Sequence, residues 1–523
     1  MDAATSLSPP TAGTRLTIRI TPIRLAVGLT LLALALRLTN IDGRALWLDE
    51  AFSEWFSDRS FHYLWTVLPT YEAHPPFFYS VLRLWRSVVG EGHAALRGLS
   101  VVLGTLTVPV IMAIVREQER DRATARPLLR AGIAGFLVAC SPMFMVIGQE
   151  ARPYPLLTLA YSLAILAMLR LVDQFRSGGA GSWSAWLLFG GSTAFTCWSH
   201  ALGILYGLCL ALTVLPLWLS RPINGIRLTR GIVTAAAVAA IYLPCLLMMT
   251  SRAQDWSTNW LAFHPNMLLV QLLALYTVPV EALTIGSAVA ALAMILLIKR
   301  SLATTWESKG WNSDRLMLLL WLGPPMLAAL ISVLYEPVFL ARTLSGTLVP
   351  CYLMIAGAIA RSDDARERRI ISAAICATLL PTAIWLALRE PTERWDLLSA
   401  YLSRNVQADD QVWLYPADSA LPMDAVGRPV PGMVRAIPEP FPTLGFKGPI
   451  RAGWPAVVSL TPRQAQQFAE DPAAAKAPVI WLVTRQSGIF DPKDDLPAAL
   501  ARVRRSGPME EWGYINVRPY YRR

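Results

Sequence analysis

Long apolar runs alternate with short, arginine-rich polar connections as far as residue 388, and beyond it the alternation stops. Runs of bilayer-crossing length, about 17–25 residues each, lie at 23–41, 96–115, 129–148, 155–172, 184–199, 201–219, 231–250, 281–299, 316–335, 343–361 and 370–388. Each reads as a spanning helix, which predicts eleven. Basic residues gather before the first run (Arg15, Arg19, Arg24) and at Arg116/Arg120/Arg122/Arg126/Arg130. Further clusters follow at Arg170/Arg176, Arg221/Arg227/Arg230, Lys299/Arg300/Lys309/Arg315 and Arg361/Arg366/Arg368/Arg369. Eleven helices starting from a cytoplasmic segment 1–22 place all of these inside, as positive-inside bias requires. No small-residue cleavage site follows a short apolar core, so the first run reads as an uncleaved anchor.

Residues 76–90 test this topology. The stretch is apolar but short, and Arg83 and Arg86 lie within it. Counting it as a span would invert every later loop and move the arginines of 116–130 outside. It is therefore expected to be an interfacial or half-inserted helix within a long first external loop, 42–95. The stretch 264–280 takes the same reading.

Past residue 389 the pattern is polar and Pro-rich, with β-like runs at 412–415, 456–460 and 479–483. Helical patterns occupy about 393–406, 462–470 and 495–506. This alternation predicts a small α/β domain, 389–523, outside the membrane. The expected fold class is thus an α-helical polytopic membrane protein, spanning region 23–388, with a C-terminal extracytoplasmic α/β domain.

Composition agrees. Of the 523 residues 54% are hydrophobic and 16% charged, and mean hydropathy is +0.42. Soluble domains run near a quarter charged. The net charge of +11 is spread over short loops rather than gathered in a patch, which argues against a nucleic-acid partner. All six cysteines fall within apolar runs, so neither a disulfide framework nor a CxxC metal pair is expected. There is no G-x-G-x-x-G, P-loop or HExxH, and no repeat of the transporter kind.

The chemistry sits at the ends of apolar runs. Asp49 and Glu50 follow the first; Glu150 ends a later one, in Gln149-Glu150-Ala151-Arg152-Pro153-Tyr154. Between them lies Ala73-His74-Pro75-Pro76-Phe77-Phe78-Tyr79. The eleven-helix topology puts Asp49, Glu50, His74, Glu150, Arg152, Tyr154, His200, Glu281 and Arg342 on the external face, with all five histidines (62, 74, 93, 200 and 264). Ionisable residues at such depth point to function, with Arg152 and His74 as cationic counterparts to the carboxylates. Each also has a plain structural reading. Glu150 and Arg152 could be an ion pair between helices, Glu50 a cap or bystander, and His74 a turn former.

These motifs resemble the polytopic GT-C glycosyltransferases, in particular the bacterial group related to protein O-mannosyltransferases and the lipid A aminoarabinose transferase. The resemblance rests on Trp47-Leu48-Asp49-Glu50, His74-Pro75-Pro76-Phe77-Phe78-Tyr79 and Gln149-Glu150-Ala151-Arg152-Pro153-Tyr154. Weaker echoes are Ser199-His200-Ala201-Leu202-Gly203 and Phe339-Leu340-Ala341-Arg342-Thr343-Leu344. Two departures stand out: Ala73, where the family often has a polar residue, and Thr343, where an aromatic commonly follows the arginine.

The resemblance implies an inverting transfer of a sugar from a polyprenyl-phosphate donor to a glycan, lipid or protein acceptor. The reaction would take place at the outer face of the bacterial inner membrane. Asp49 would be the base, with Glu50 and Glu150 as further catalytic candidates. Arg152, His74 and Arg342 would hold the donor phosphate, and Tyr154, His200 and Tyr79 would bind substrate. No cofactor is certain; a divalent metal is compatible, although the scattered histidines lack ligand spacing. From another class, a transporter or flippase of a lipid-linked or small solute competes with this reading; within enzymes, an oligosaccharide polymerase or ligase does.

Overall fold

The computed structural model describes residues 21–70, 72, 74–121, 124–220, 224–250, 265–276, 292, 295–303, 305, 312–438 and 460–523. Helices occupy ten of the eleven predicted runs, from Pro22–Leu38 to Ala365–Leu388. The remaining run, 281–299, lies largely outside the described residues, as do His264 and Glu281. Among the described residues six helices are long and apolar enough to cross a membrane, or seven when one bent pair counts as a single span. Pro22–Leu38, Trp183–Ser199 and Gly203–Trp218 are shorter, at 16 or 17 residues. The protein is a multi-pass membrane protein, and the figure of eleven stands as a reading of the sequence.

Tyr154–Arg176 is the central helix, packed against His93–Asp121, Trp183–Ser199 and Gly203–Trp218 and buried along almost all its length. Gly225–Thr250 and Ala365–Leu388 lie at the periphery, with most of their apolar surface turned outward. Their exposed Ile232, Val233, Leu247, Ile384 and Leu388 are the side chains expected against lipid.

One break in the bundle positions the chemistry. Helices Pro127–Cys140 and Pro142–Gly148 meet at 51°. Ser141, held extended at φ −57°, ψ 131°, precedes a proline, which disfavours helical backbone there. The break frees carbonyls that no water can satisfy inside a bundle. Arg37, fully buried, donates to two of them, Val138 O at 3.0 Å and Ala139 O at 3.1 Å. Gln149 returns the favour from the other side. Its amide lies 2.9–3.3 Å from Leu36 O, Arg37 O and Thr39 O, at the end of Pro22–Leu38. The two polar side chains thus cap one another's helices. Gly148 leaves room for this, since a Cβ there would stand 2.8 Å from Arg37 Nε.

The loop after the first helix, expected to be external, is helical: Leu48–Ser57, Phe61–Thr66 and Phe77–Val89. The helix expected over 76–90 is present, but Phe78, Tyr79 and Leu82 are buried within the protein, and Tyr79 meets Phe56 edge to face at 4.9 Å. Only Leu84, Val88 and Val89 remain as an exposed apolar edge.

Residues beyond 389 form the predicted α/β domain around a six-stranded sheet: β1 Gln411–Tyr415, β2 Met433–Ala436, β3 Val479–Arg485, β4 Arg504–Ser506, β5 Glu510–Trp512 and β6 Ile515–Arg522. The order is β2-β1-β3-β6-β4, with β5 also on β6; β1 is parallel to β2 and β3, and β6 is antiparallel to β3. Helices Trp395–Asn405, Pro462–Ala469 and Asp495–Val503 match the sequence reading. The helix expected to reach 506 stops at Val503, because Arg504–Ser506 pair with Tyr520–Arg522 instead. The run 456–460 lies outside the described residues but for Leu460, which is not in a strand.

The domain is not separately cored on its membrane side. Trp395, Leu398, Leu414 and Trp481 share one apolar cluster with Leu46, Ala51, Phe56, Phe78 and Leu96 of the loop region. Two buried ion pairs bracket this cluster. Arg485 Nε donates to Glu393 Oε1 at 2.7 Å, and the other Glu393 oxygen accepts from Leu48 N and Trp395 Nε1. Arg97 grips Glu50 with two 2.7 Å bonds, while Glu50 Oε1 also accepts from Ala151 N at 3.0 Å.

Removing one member of a desolvated pair leaves an uncompensated charge, at about 3–5 kcal/mol. Glu50→Gln should therefore lower thermal stability in detergent by that order, whereas the double variant Glu50→Leu/Arg97→Met should recover most of the loss. Equal melting behaviour of Glu50→Gln and wild type would mean that the pair holds nothing together.

Candidate active site

Asp49 is in the first turn of Leu48–Ser57, with Trp47 at the N-cap and the helix start satisfied by Glu393. A carboxylate here also faces the positive end of the helix dipole. Its Oδ2 lies 3.2 Å from Arg342 Nη2 and 3.6 Å from Arg152 Nη2, and Arg152 Nη1 donates to Asp49 O at 3.2 Å. Arg342 comes from the 3₁₀ turn Ala341–Thr347 before the last buried helix; Arg152 comes from the segment after the bend. Burial pushes the Asp49 carboxyl up, but Arg152 and Arg342, with Arg485 beyond them, outweigh burial and hold it below the usual range. The group is ionised at neutral pH.

A second layer is aromatic. The His74 and His200 rings lie 4.5 Å apart, Tyr154 stands 5.5 Å from His200, and the Arg152 guanidinium lies 6.0 Å from the Tyr154 ring. Arg342 lies 5.2 Å over Trp47. His74 N donates to Glu72 Oε1 at 3.0 Å, and Leu202 N donates to His200 Nδ1 at 3.0 Å. Burial and the two arginines push His200 down to about 3; burial, His200 and the arginines hold His74 well below its ordinary value. Both imidazoles are neutral. His74, counted among the cations on sequence, can therefore serve as a hydrogen-bonding group but not as a positive charge. The physical reason is burial first, to which His200 and the two guanidiniums add.

Several buried polar atoms here have no partner among the described residues: His74 Nδ1, His200 Nε2, Tyr79 Oη, Arg152 Nε and Arg342 Nε. Native proteins rarely leave buried polar atoms unpaired, so these atoms are available to a polar ligand.

The other carboxylates differ in kind. Glu50 spends its oxygens on Arg97 and Ala151 N, so it ties the Leu48–Ser57 helix to the Glu150–Arg152 segment. Glu150 sits between, pushed up to about 7 by burial and by Glu50, with Arg342 and Arg389 pulling the other way. Among the described residues no three His, Cys, Asp or Glu side chains gather as a metal site. Asp49 and Glu50 already face guanidiniums, so a divalent ion does not fit the site as arranged and no step is routed through one.

All nine predicted site residues thus fall at one end of the bundle, under the C-terminal domain. Sequence reasoning missed Trp47 as a neighbour of Arg342, and also Glu72, Arg97, Glu393 and Arg485. Arg97 was visible as a charge just inside an apolar run. The residues beyond 389 carried no local signal, because they reach the site only through the domain's docking.

Residues 73–248 match the family model for dolichyl-phosphate-mannose-protein mannosyltransferase. That stretch holds His74, Tyr79, Glu150, Arg152, Tyr154 and His200 but not Asp49. No curated protein matches the chain in sequence. Among solved structures it is similar to the Archaeoglobus fulgidus oligosaccharyltransferase in its apo form, at 14% identity and a TM-score of 0.56 over 92% of this chain and 73% of that one. It is also similar to ArnT from Cupriavidus metallidurans bound to undecaprenyl phosphate, at 13% identity and a TM-score of 0.55 over 94% and 97%. The archaeal protein AglB from Archaeoglobus fulgidus, in complex with an inhibitory peptide and a dolichol-phosphate, matches at 13% and 0.55 over 96% and 74%. The chain is a multi-pass membrane protein whose fold is similar to those of the oligosaccharyltransferase and ArnT structures, the GT-C fold.

Proposed function

We propose that the protein is a glycosyltransferase, moving a sugar from a polyprenyl-phosphate donor to an acceptor hydroxyl at the outer face of the bacterial inner membrane. The observation that carries this reading is Asp49 held between Arg152 and Arg342, whose Nε atoms have no partner among the described residues. ArnT and AglB, which share the fold, are bound to undecaprenyl phosphate and dolichol-phosphate respectively. In a transporter, ionisable groups lining a path through the membrane would be expected, whereas the nine candidate site residues collect at one end of the bundle.

In this proposal the acceptor hydroxyl attacks the anomeric carbon as the bond from that carbon to the phosphate oxygen breaks. The hydroxyl proton passes to the Asp49 carboxylate, and the electron pair leaves with the polyprenyl phosphate. One displacement inverts the anomeric centre. Arg152 and Arg342 are suited to the phosphate because a guanidinium offers several donors in a fixed plane. Their Nε atoms are unspent, and an excess of cations over Asp49 favours the charge that develops on the leaving group. Tyr79, His74 and His200 supply neutral hydrogen bonds around the sugar, with Tyr154 beside them. Glu50 positions Asp49 and Arg152 relative to each other.

Asp49→Asn should lower turnover of a labelled undecaprenyl-phosphate sugar by about 10²–10⁴-fold, the range for a lost general base. Binding of undecaprenyl phosphate itself should survive. Arg152→Ala should weaken that binding by about 2–5 kcal/mol at equal folded amount. Near wild-type turnover in Asp49→Asn would transfer the role of base to Glu150.

Glu150 has its own test. Its carboxyl rests at about 7 in the fold against 4.5 in the unfolded chain, so ionising it opposes folding. That penalty is absent below about pH 4.5 and complete above about pH 7, amounting to about 3 kcal/mol at most. Glu150→Gln should exceed the wild type in melting temperature at pH 8 and converge on it near pH 4.5. A stability difference independent of pH would show that the group does not titrate in this window.

For orientation, a cysteine at exposed Arg428, in a background without native cysteines, should react with an impermeant thiol reagent added to spheroplasts. Labelling instead at Asp364 would reverse the topology.

A further inference from the structure

The helix that carries Asp49 does not cap itself. Its first N–H groups lack intrahelical acceptors, as at any helix start, and a Ser, Thr, Asp or Asn at the N-cap ordinarily supplies one. Here the N-cap is Trp47, which makes no side-chain cap bond. The acceptor is instead Glu393 Oε2 of the C-terminal domain, 3.3 Å from Leu48 N. Asp49, the next residue, sits in the turn that this bond closes.

Glu393 is in turn fixed from several sides. Arg485 Nε donates to its Oε1 at 2.7 Å and Trp395 Nε1 to its Oε2 at 2.9 Å, and all three side chains are buried. Its backbone bridges to Gly513, between β5 and β6, and Tyr514 N donates to Thr392 O at 3.0 Å. Gly513 has φ +68°, and a Cβ there would stand 2.0 Å from Thr392 O. Only glycine lets the β5–β6 turn close on the segment Thr392–Glu393. Arg485 lies opposite Ile515 in the β3–β6 register, so one end of the sheet grips the cap through both side chain and backbone. The charges agree with this geometry. Arg485 neutralises the Glu393 carboxylate, which would otherwise repel Asp49 at the same helix start. Against burial, Arg152, Arg342 and then Arg485 favour the charged form of Asp49.

We infer that Glu393 is a positioning residue for Asp49: it caps the helix bearing the base from the C-terminal domain, and Arg485 and Gly513 hold it where it can do so. This rests on the glycosyltransferase reading above, with Asp49 as base. It gives the domain a part in the transfer step that is separate from any contact with substrate. Arg152 and Arg342, the donor-phosphate candidates, stand on the bundle rather than on the domain. The cap therefore bears on kcat and not on donor affinity.

The test uses the full chain in nanodiscs, reading kcat with a labelled undecaprenyl-phosphate sugar, undecaprenyl phosphate affinity and melting temperature at equal folded amount. Glu393→Ala removes the acceptor, and kcat should fall about tenfold to a hundredfold, the range for a slightly misplaced reacting group. Undecaprenyl phosphate affinity should not change. Gly513→Ala, which touches neither Glu393's carboxylate nor the site, should lower kcat in the same way by displacing Thr392. The neutral pair Glu393→Gln/Arg485→Gln keeps a carbonyl oxygen for Leu48 N and should recover most of the loss. Because the cap acts through Asp49, Glu393→Ala added to Asp49→Asn should cost no further turnover. Wild-type kcat in both Glu393→Ala and Gly513→Ala, a parallel fall in undecaprenyl phosphate affinity, or additive losses in the double variant would each overturn the inference. Failure of the underlying reading looks different: Asp49→Asn itself would turn over at the wild-type rate.

Discussion

The site depends on a carboxylate that does no chemistry in the proposal. Glu50, almost completely buried, is held by two bonds from Arg97 and one from Ala151 N. Three stretches distant in sequence meet on those two oxygens: the start of the loop helix, the first turns of His93–Asp121, and the segment after the bend. Asp49 and Arg152 are the immediate neighbours of the residues so joined. Their 3.6 Å approach is therefore set by the buried pair beneath, and a charge that costs desolvation is spent on fixing register.

The bend at Ser141 raises the same problem at a deeper level. Irregular backbone in a bundle must find its partners in protein, and Arg37 and Gln149 supply them from opposite sides. The sequence presents both as oddities: an arginine near the end of an apolar run and a glutamine beside a glutamate. Their pairing with carbonyls is long-range, so no window of hydrophobic periodicity reveals it. What periodicity does reveal is the helices themselves, since burial or lipid contact demands apolar faces of a given length. Ten of the predicted runs are accordingly helical.

The terminal domain was legible in proportion to how far its strands were buried. The central strands β1 and β3 read as continuous apolar runs because both their faces are covered. The edge strands β2, β4 and β5 are short and half exposed, and β6 carries Arg518, Pro519 and Arg522. Polar composition of that kind resembles loop, and only pairing with a neighbour makes it strand. At the site, the motif residues were legible because charge at the end of an apolar run is conspicuous. The protonation of His74 was not, because it is decided by burial in the folded bundle and then by His200, Arg152 and Arg342, which lie far along the chain.

The shared core of the first loop and the C-terminal domain also orders events during synthesis. Leu48 N is satisfied by Glu393, 345 residues later, and Phe56, Phe78 and Leu96 share a cluster with Trp395 and Trp481. Domains generally fold as units in the order they are made, but this loop emerges with its own partners still untranslated. It must wait, exposed on the surface, until the last domain arrives to cover it. The Asp49 helix thus reaches its final seat only when nearly the whole chain has been built, so a ribosome-bound nascent chain carries the motif without the working site.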